Sequence, residues 1–590
     1  MKYVLDKGDN SKMLMTDKQT SYPSIDKPWL KFYSDRAINS SVPTITIWEY
    51  MYESNKNYPN DIAIRYFSRE IRFKEFFNHI DECAKSLNTL GVKPGEIVTV
   101  ALPSIPEALY IVYALNKIGA VANMIHPLAG ENEIVNYINE VESKVVIIFD
   151  KTLDIIKNSI GKTGIKQAVV VTAGESLSIG MKQLFSIKNG KIDTNNLPCI
   201  TWKKFISIGR NNSIPEVKKD INSIAIISHT GGTTGEPKGV MCSDRNANAL
   251  MHQIVCNFEY DRQGTSLAVL PPFINYSLIE AMMAMLVIGY KVVLIPDYKP
   301  LEFDKYIKKY RPNIVLSIPA YWEAMLKIDG IEKVDMSCFE QIYAGGEAIN
   351  EEIEKAVNEM LLSCGSKTPL LKGLGATEMT GGATQTYTHC NVPGSVGLPL
   401  VRINCKVVSQ DSCDELGYNQ EGEICFSGDT VMMGYYNNQA ATDKIIKIHE
   451  DGVRWLHTGD LGYIDEDGII YVTGRIKRIL MTKGDDNIAT KLFPDRVEKV
   501  IYSHDSVELC CVVGKPDAER INIPVAFITL KNGIDPNDEL INEIKALCHE
   551  LLPTYMIPDK FIIKSEFPRT DRGKVDYKML ERMVTNERMD

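Results

Sequence analysis

One stretch of the chain concentrates groups able to hold a polyanion: Ser228-His229-Thr230-Gly231-Gly232-Thr233-Thr234-Gly235-Glu236-Pro237-Lys238-Gly239. Three glycines, Gly231, Gly232 and Gly235, let backbone N–H groups come close to an anion. Thr230, Thr233 and Thr234 add hydroxyl donors, and Lys238 adds a positive charge. A loop so equipped suits the phosphates of a nucleotide. It is not a Walker A loop, which needs Gly-Lys-Ser/Thr where this chain has Pro-Lys-Gly, and a P-loop kinase is excluded on that ground. A Gly- and Thr-rich turn by itself is more often plain flexible chain.

Such a loop needs a rigid frame to aim it. The segment SIAIIS (223–228) runs straight into it and has the composition of a buried strand. Further strand-like runs, VVIIFD (145–150), QAVVVT (167–172), SLAVLP (266–271), KVVLIP (291–296) and NIVLSI (313–318), alternate with helix-like stretches. That rhythm predicts parallel sheets covered on both faces. In EEIEKAVNEMLLS (351–363), Ile353, Val357, Met360 and Leu361 fall on one helical face. After about residue 395 the texture changes to short strands and polar turns, with Asp465-Glu466-Asp467-Gly468 as a hairpin turn signal. Beyond 477, VELCCVV (507–513) and VAFITL (525–530) read as strands and DELINEIKALCHELL (538–552) as a helix. Residues 1–40 are polar, show little periodicity and read as an extension or lid.

The 590 residues are 44% apolar and 24% charged, ordinary for a globular chain of several domains. A net charge of −10 argues against a protein built to coat nucleic acid. No apolar h-region opens the sequence, so no signal peptide is expected. The longest apolar stretch, 276–296, is broken by Glu280, Gly289 and Lys291 and predicts a helix plus a buried strand, not a membrane span. Thirteen scattered cysteines without a CxxC pair favour reduced thiols in a cytoplasmic protein over disulfides or zinc.

The loop TGGTTGEPKG resembles the signature of the adenylate-forming superfamily, which includes acyl-CoA synthetases, stand-alone adenylation domains and luciferases. Further segments resemble the family's motifs in the family's order, over residues 45 to 580: Gly345-Gly346-Glu347-Ala348, Gly373-Leu374-Gly375-Ala376-Thr377-Glu378, Trp455-Leu456-His457-Thr458-Gly459-Asp460, Gly474-Arg475-Ile476-Lys477, and Pro568-Arg569-Thr570-Asp571-Arg572-Gly573-Lys574-Val575-Asp576. The resemblance implies an α/β fold: a large N-terminal domain (41–476) of two parallel αβ layers plus a small β-barrel-like subdomain, then a small mobile α+β domain (477–590). It also implies roles. The Gly/Thr loop and Lys238 would hold phosphates, and Gly346, Glu347 and Gly375 would border the nucleotide. Thr377 would contact the α-phosphate and Glu378 would ligate Mg²⁺. Asp460 would bind the ribose hydroxyls, Arg475 would reach the nucleotide, Lys477 would be the hinge, and Lys574 would be the catalytic lysine of adenylation.

By that resemblance a carboxylate attacks the α-phosphorus of ATP, giving an acyl-adenylate and pyrophosphate, and a thiol then takes the acyl group and releases AMP. The lead expectation is an acid–thiol ligase that uses ATP, Mg²⁺ and coenzyme A. The alternative acceptor is the phosphopantetheine of a separate carrier protein, since no carrier domain follows Lys574. Acid choice should lie at Ile274, Asn275 and Tyr276. Many relatives have an aromatic residue or histidine where Ile274 stands. Amino-acid-activating domains have an aspartate where Asn275 stands, and asparagine supplies no charge for a substrate ammonium. An uncharged aliphatic acid is therefore favoured, with an aryl acid, whose ring hydroxyl Asn275 could bond, as the alternative. Met481 occupies a position where coenzyme A ligases often have lysine, and residues 483–494 are longer than usual, so a carrier acceptor stays open. From a different class stands a non-catalytic nucleotide-binding protein. Retention of Lys238, Glu378, Asp460, Arg475 and Lys574 together argues against it. A light-emitting oxygenase would need a special substrate.

Overall fold

A computed structural model describes residues 20–189, 194, 198–230, 237–257, 260–347, 349, 351–484, 489–531, 533–569 and 575–586. Two large sheets carry the N-terminal part. The first has eight strands and places Ile224–His229 beside Val121–Met124, with Ile97–Ala101, Val145–Phe149, Gln167–Val171 and Cys199–Thr201 following in parallel. Beyond Ile224–His229 the sheet turns antiparallel through Gly239–Ser243 and Gly434–Tyr435. The second has seven strands and is parallel from Leu371–Gly373 through Gln341–Gly345, Ile314–Ser317, Thr265–Ala268 and Lys291–Leu294 to Ile62–Tyr66, with Arg69–Arg72 antiparallel at its edge.

The sequence pattern accounts for this. Every position of Val145–Phe149 is buried, as a parallel strand covered on both faces requires. The helix Glu351–Ser363 buries Val357, Met360 and Leu361 of the expected stripe, with Ile353 half-buried. It also buries Glu354, whose carboxylate accepts from Lys372 Nζ at 2.7 Å on both oxygens. The apolar stretch from Tyr276 is a helix that runs in π register over Tyr276–Ala284, followed by the strand Lys291–Leu294. No helix among the described residues is long and apolar enough to cross a membrane.

The β-rich subdomain is an open sheet and not a barrel. Asn404–Val408, Gly422–Ser427 and Arg454–Ile464 lie side by side, antiparallel. The far edge of Arg454–Ile464 is shared by Ile446–Ile448 and Ile470–Arg475. Among the described residues Asn404–Val408 pairs with a strand on one side only, so the sheet does not close. Short strands and polar turns are common to open and closed antiparallel sheets, and closure depends on pairings that the pattern does not encode.

Residues 20–40, where the sequence offered no element, fold as a strap against this region. Trp29, Tyr33 and Ala37 enter the main core. Ser24 Oγ donates to Glu415 at 2.7 Å, Lys31 pairs with Asp467 at 2.5 Å, and the Tyr33 hydroxyl donates to the Pro399 carbonyl. The C-terminal part has its own cores around the sheet of Val507–Asp517, Ile521–Leu530 and Lys560–Ile563. The helix Asp538–Leu551 buries Leu540, Ile544 and Cys548 into one of them.

Candidate active site

The phosphate-type loop joins Ile224–His229 to Gly239–Ser243 at the carboxyl end of the first sheet's parallel strands, where open α/β sheets bind ligands. Gly231, Gly232, Thr233, Thr234 and Gly235 lie outside the described residues. The two ends are tied together. Thr230 N–H donates to the Lys238 carbonyl at 3.0 Å, and Lys238 N–H donates to Thr230 Oγ1 at 3.1 Å. The loop's span is thus fixed from both sides.

Lys238 Nζ sits over the Tyr435 ring, 5.1 Å from its centroid, and the Tyr435 hydroxyl donates to Glu378 Oε1 at 2.6 Å. Lys238, Tyr435 and Glu378 therefore form a row beside the loop. Burial and the Glu378 carboxylate push the Tyr435 phenol up, which keeps it a donor. Glu378 lies in the short turn Thr377–Met379, whose place is fixed by Met432 N–H donating to the Glu378 carbonyl at 2.9 Å and by Thr380 Oγ1 donating to the Thr430 carbonyl at 2.7 Å. Gly375 pairs with Gly382 in a two-residue ladder, and a side chain at Gly375 would stand 2.6 Å from the Gly381 carbonyl oxygen. Tyr435 is a site residue the sequence reading missed. Its signal was the Met432-Met433-Gly434-Tyr435 run, but nothing local says that it faces Glu378.

Asp460 and Arg475 are paired in register on neighbouring strands, and Arg475 Nε meets Asp460 Oδ1 at 2.6 Å. Asp460 is buried while Arg475 is exposed. Lys477 is exposed in the turn Ile476–Arg478. The next residue, Arg478, is the anchor that the sequence reading overlooked. It donates to Asp495 at 2.6 Å and to Glu498 at 2.5 and 3.0 Å, joining the connecting turn to the helix Pro494–Tyr502. Gly346 has φ +84 directly after the strand Gln341–Gly345, a conformation that favours glycine. Glu347 follows it, half-buried and near Glu323, whose carboxyl is pushed up by burial.

The predicted acid-binding residues follow the strand Thr265–Ala268. Ile274 is half-buried. Asn275 is buried with both ends of its amide occupied: Ser228 Oγ donates to its Oδ1 at 2.5 Å, and its Nδ2 points to Cys242 Sγ at 3.6 Å. Tyr276 packs so closely on Gly345 that a Cβ there would lie 3.2 Å from its ring. One helical turn on, Glu280 is buried and accepts Gly382 N–H at 2.8 Å, and burial pushes its carboxyl up to about 8. Beside these residues a cavity of ≈ 220 Å³ is lined by His126, Glu133, Tyr137, His229 and Phe273. His229 is fixed there by Asn123 Oδ1 at 2.7 Å and by the Tyr137 ring at 4.1 Å.

Lys574 lies outside the described residues. The chain on either side of it is closed by an antiparallel bridge between Arg569 and Val575. The Arg569 charge lies close enough to Glu323 to favour its ionised form. Lys327 and Glu508 pair across the same gap at 2.7 Å. A half-buried carboxylate with a donor on one oxygen, a tethered Gly/Thr loop and a second buried carboxylate make an arrangement able to hold a divalent cation, phosphates and a diol.

The chain is similar to known proteins over most of its length. The model of the family described as AMP-binding enzyme matches residues 51–436, and that of the AMP-binding enzyme C-terminal domain matches 496–574. A long-chain-fatty-acid–CoA ligase of Bacillus subtilis (strain 168) is 27% identical over 572 residues, covering 93% of this chain and 96% of the relative. A probable 4-coumarate–CoA ligase 3 of Dictyostelium discoideum is 29% identical over 474 residues, covering 78% and 82%. The crystal structure of the anthranilate CoA ligase AuaEII in complex with anthranoyl-AMP superposes with a TM-score of 0.78 at 22% identity, covering 93% of this chain and 99% of that one.

Proposed function

The chain belongs to the AMP-binding enzyme family, an AMP-forming activator of carboxylic acids, and on that premise we propose that it joins an uncharged aliphatic acid to coenzyme A. The observation that carries the reading is the row Lys238–Tyr435–Glu378 beside the tethered loop, with the Asp460–Arg475 pair as the other landmark. A triphosphate needs cationic and N–H donors, and a ribose needs a carboxylate acceptor.

Glu378 fits a magnesium ion, because Mg²⁺ takes one or two carboxylates and shares the remaining positions with phosphate oxygens and water. Bound there, the ion would neutralise phosphate charge as the acid attacks. The chain's own residues would do the rest. Tyr435 holds the Glu378 carboxylate at a set angle. Lys238 and the Gly/Thr loop bind the phosphates. Thr377 sits next to Glu378 to meet the α-phosphate. Asp460 accepts from the ribose hydroxyls, with Arg475 at its side, and Gly346, Glu347 and Gly375 line the base. Lys574 would add charge at the departing pyrophosphate, an electrostatic task worth on the order of 10²–10³ in rate for one such donor in other enzymes. A turn about Lys477 would then withdraw this loop for the thiol step.

The acid preference rests on Ile274 and Asn275. The asparagine amide is engaged by Ser228 and Cys242, which fixes its orientation and halves the donors and acceptors it can offer a ring hydroxyl. The B. subtilis relative, named for long-chain fatty acids, supports the same choice. The test is acid-dependent ATP–pyrophosphate exchange over fatty, short-chain, benzoic and amino acids, with Lys574→Ala as control, followed by AMP release with coenzyme A or a phosphopantetheinylated carrier. Exchange with fatty or short-chain acids and thioester formation on coenzyme A is expected. A response to benzoates alone, or acylation of the carrier alone, overturns the corresponding half of the proposal.

A further inference from the structure

A second group of ligand-bearing side chains lies outside the row that faces the loop. It is built on the open antiparallel sheet. Cys425 and His457 are directly opposite each other on neighbouring strands. Glu423 lies two residues before Cys425, beyond a register shift, and its Oε2 is 2.7 Å from His457 Nδ1. One donor atom from each of Glu423, Cys425 and His457 falls within 4.8 Å of the others. His449 comes from the adjoining edge, with Nε2 2.9 Å from His457 Nε2. Cys425 and His457 are buried, and Glu423 and His449 are half-buried, so the group reaches solvent on one side.

We propose that Glu423, Cys425 and His457 form a transition-metal site of the kind that takes Zn²⁺, with one coordination position open and with His449 orienting His457 from outside. The donor set is borderline-soft: one thiolate, one imidazole and one carboxylate, the combination in which zinc is found and hard Mg²⁺ is not. Charge supports it. A carboxylate, a thiolate and a neutral imidazole around a dication sum to zero, which is the least costly way to bury these groups together. Without an ion the Cys425 thiol points its S–H to the Glu423 carbonyl at 3.9 Å. Binding releases one proton, from that thiol. His457 then presents Nδ1 to the ion and carries its proton on Nε2, where His449 accepts it, and the His449 proton moves to its own Nδ1. Such an outer partner fixes the tautomer and ring plane of a metal-binding histidine. Two lysines lie within electrostatic range and are engaged elsewhere: Lys406 is bonded to Asp451 at 3.1 Å and stacked on the Trp455 ring, and Lys447 is exposed at 3.7 Å from Cys413 Sγ.

No CxxC or HxxxH spacing announces this site, because the ligands come from adjacent strands and only the register brings them together. The test uses the full chain stripped of metal and titrated with Co²⁺, read by thiolate-to-cobalt charge-transfer absorption. One equivalent should produce the band, Zn²⁺ should displace it and Mg²⁺ should not. Cys425→Ser should abolish it, while Cys413→Ser should leave it. His449→Ala, at a half-exposed position that the fold should tolerate, should weaken Co²⁺ binding by about 10- to 100-fold. Absence of the band in the parent protein overturns the proposal. So does a band that survives Cys425→Ser, or affinity unchanged in His449→Ala.

Discussion

Replacing Tyr435 by phenylalanine removes one oxygen and leaves the ring under Lys238. Tyr435 is a positioning residue: its hydroxyl donates to Glu378 Oε1 at 2.6 Å, and its ring lies 5.1 Å from Lys238 Nζ. A hydrogen bond to a charged group is worth about 1.5–3 kcal/mol. If that energy serves to aim the carboxylate at the metal–phosphate complex, its loss slows adenylation by about 10- to 150-fold. The assay is ATP–pyrophosphate exchange at several Mg²⁺ concentrations. The expected result is a fall in kcat/KM of that size, largest at low Mg²⁺ and partly recovered at high Mg²⁺, because a less well aimed carboxylate binds the ion more weakly. Tyr435→Ala should be worse, since it also removes the ring beneath Lys238. Thermal unfolding of Tyr435→Phe should stay within a few degrees of the parent, which separates positioning from stability. Exchange within twofold of the parent at low Mg²⁺ would refute the reasoning, as would a loss that Mg²⁺ leaves untouched.

Lys574→Ala should reduce acid-dependent exchange by on the order of 10²–10³ while leaving thioester formation from preformed acyl-adenylate largely intact, measured in separate half-reactions. Glu280, held near pKa 8 by burial, keeps its proton in the folded state over a range where the unfolded chain has lost it. Its contribution to stability is therefore full below about pH 4.5 and is lost as pH rises through about 8, so the unfolding midpoint of the parent should fall relative to Glu280→Gln between pH 5 and 9. Lys372→Met leaves Glu354 buried without its partner and should cost about 3–5 kcal/mol, with much of the loss recovered in the double change with Glu354→Leu, read by denaturant unfolding. The exposed pair Lys327–Glu508 links the two domains at 2.7 Å, and such pairs are worth about 0.2–1 kcal/mol. Glu508→Gln should thus lower exchange by up to about fivefold at low salt, with the effect vanishing at high salt.

The fold and the site were legible in the sequence to different depths, and the difference is one of range. Ile224–His229, Val145–Phe149 and Glu351–Ser363 follow from the period of their own residues, and the turn at Asp465–Gly468 follows from its own composition. The candidate phosphate loop is legible for a related reason: a loop that brings backbone close to phosphate needs glycines at fixed local offsets, and that need is written in adjacent letters. What escapes is whatever holds those residues still. Tyr435 reaches Glu378 across 57 residues of chain. Asp460 finds Arg475 only through strand register, and Arg478 fastens the connecting turn to Asp495 and Glu498 on the helix beyond the next two strands. Asn275 shows why this matters for function. Its residue type invites a ligand contact, yet Ser228 and Cys242 already hold one acceptor site and one N–H of its amide. The strap at Trp29 and Tyr33 escapes for the opposite reason, since isolated aromatics set no period although each docks in the main core. A substrate assignment read from pocket-residue types alone therefore overcounts the groups available to substrate, and the correction comes from long-range partners that only the folded chain supplies.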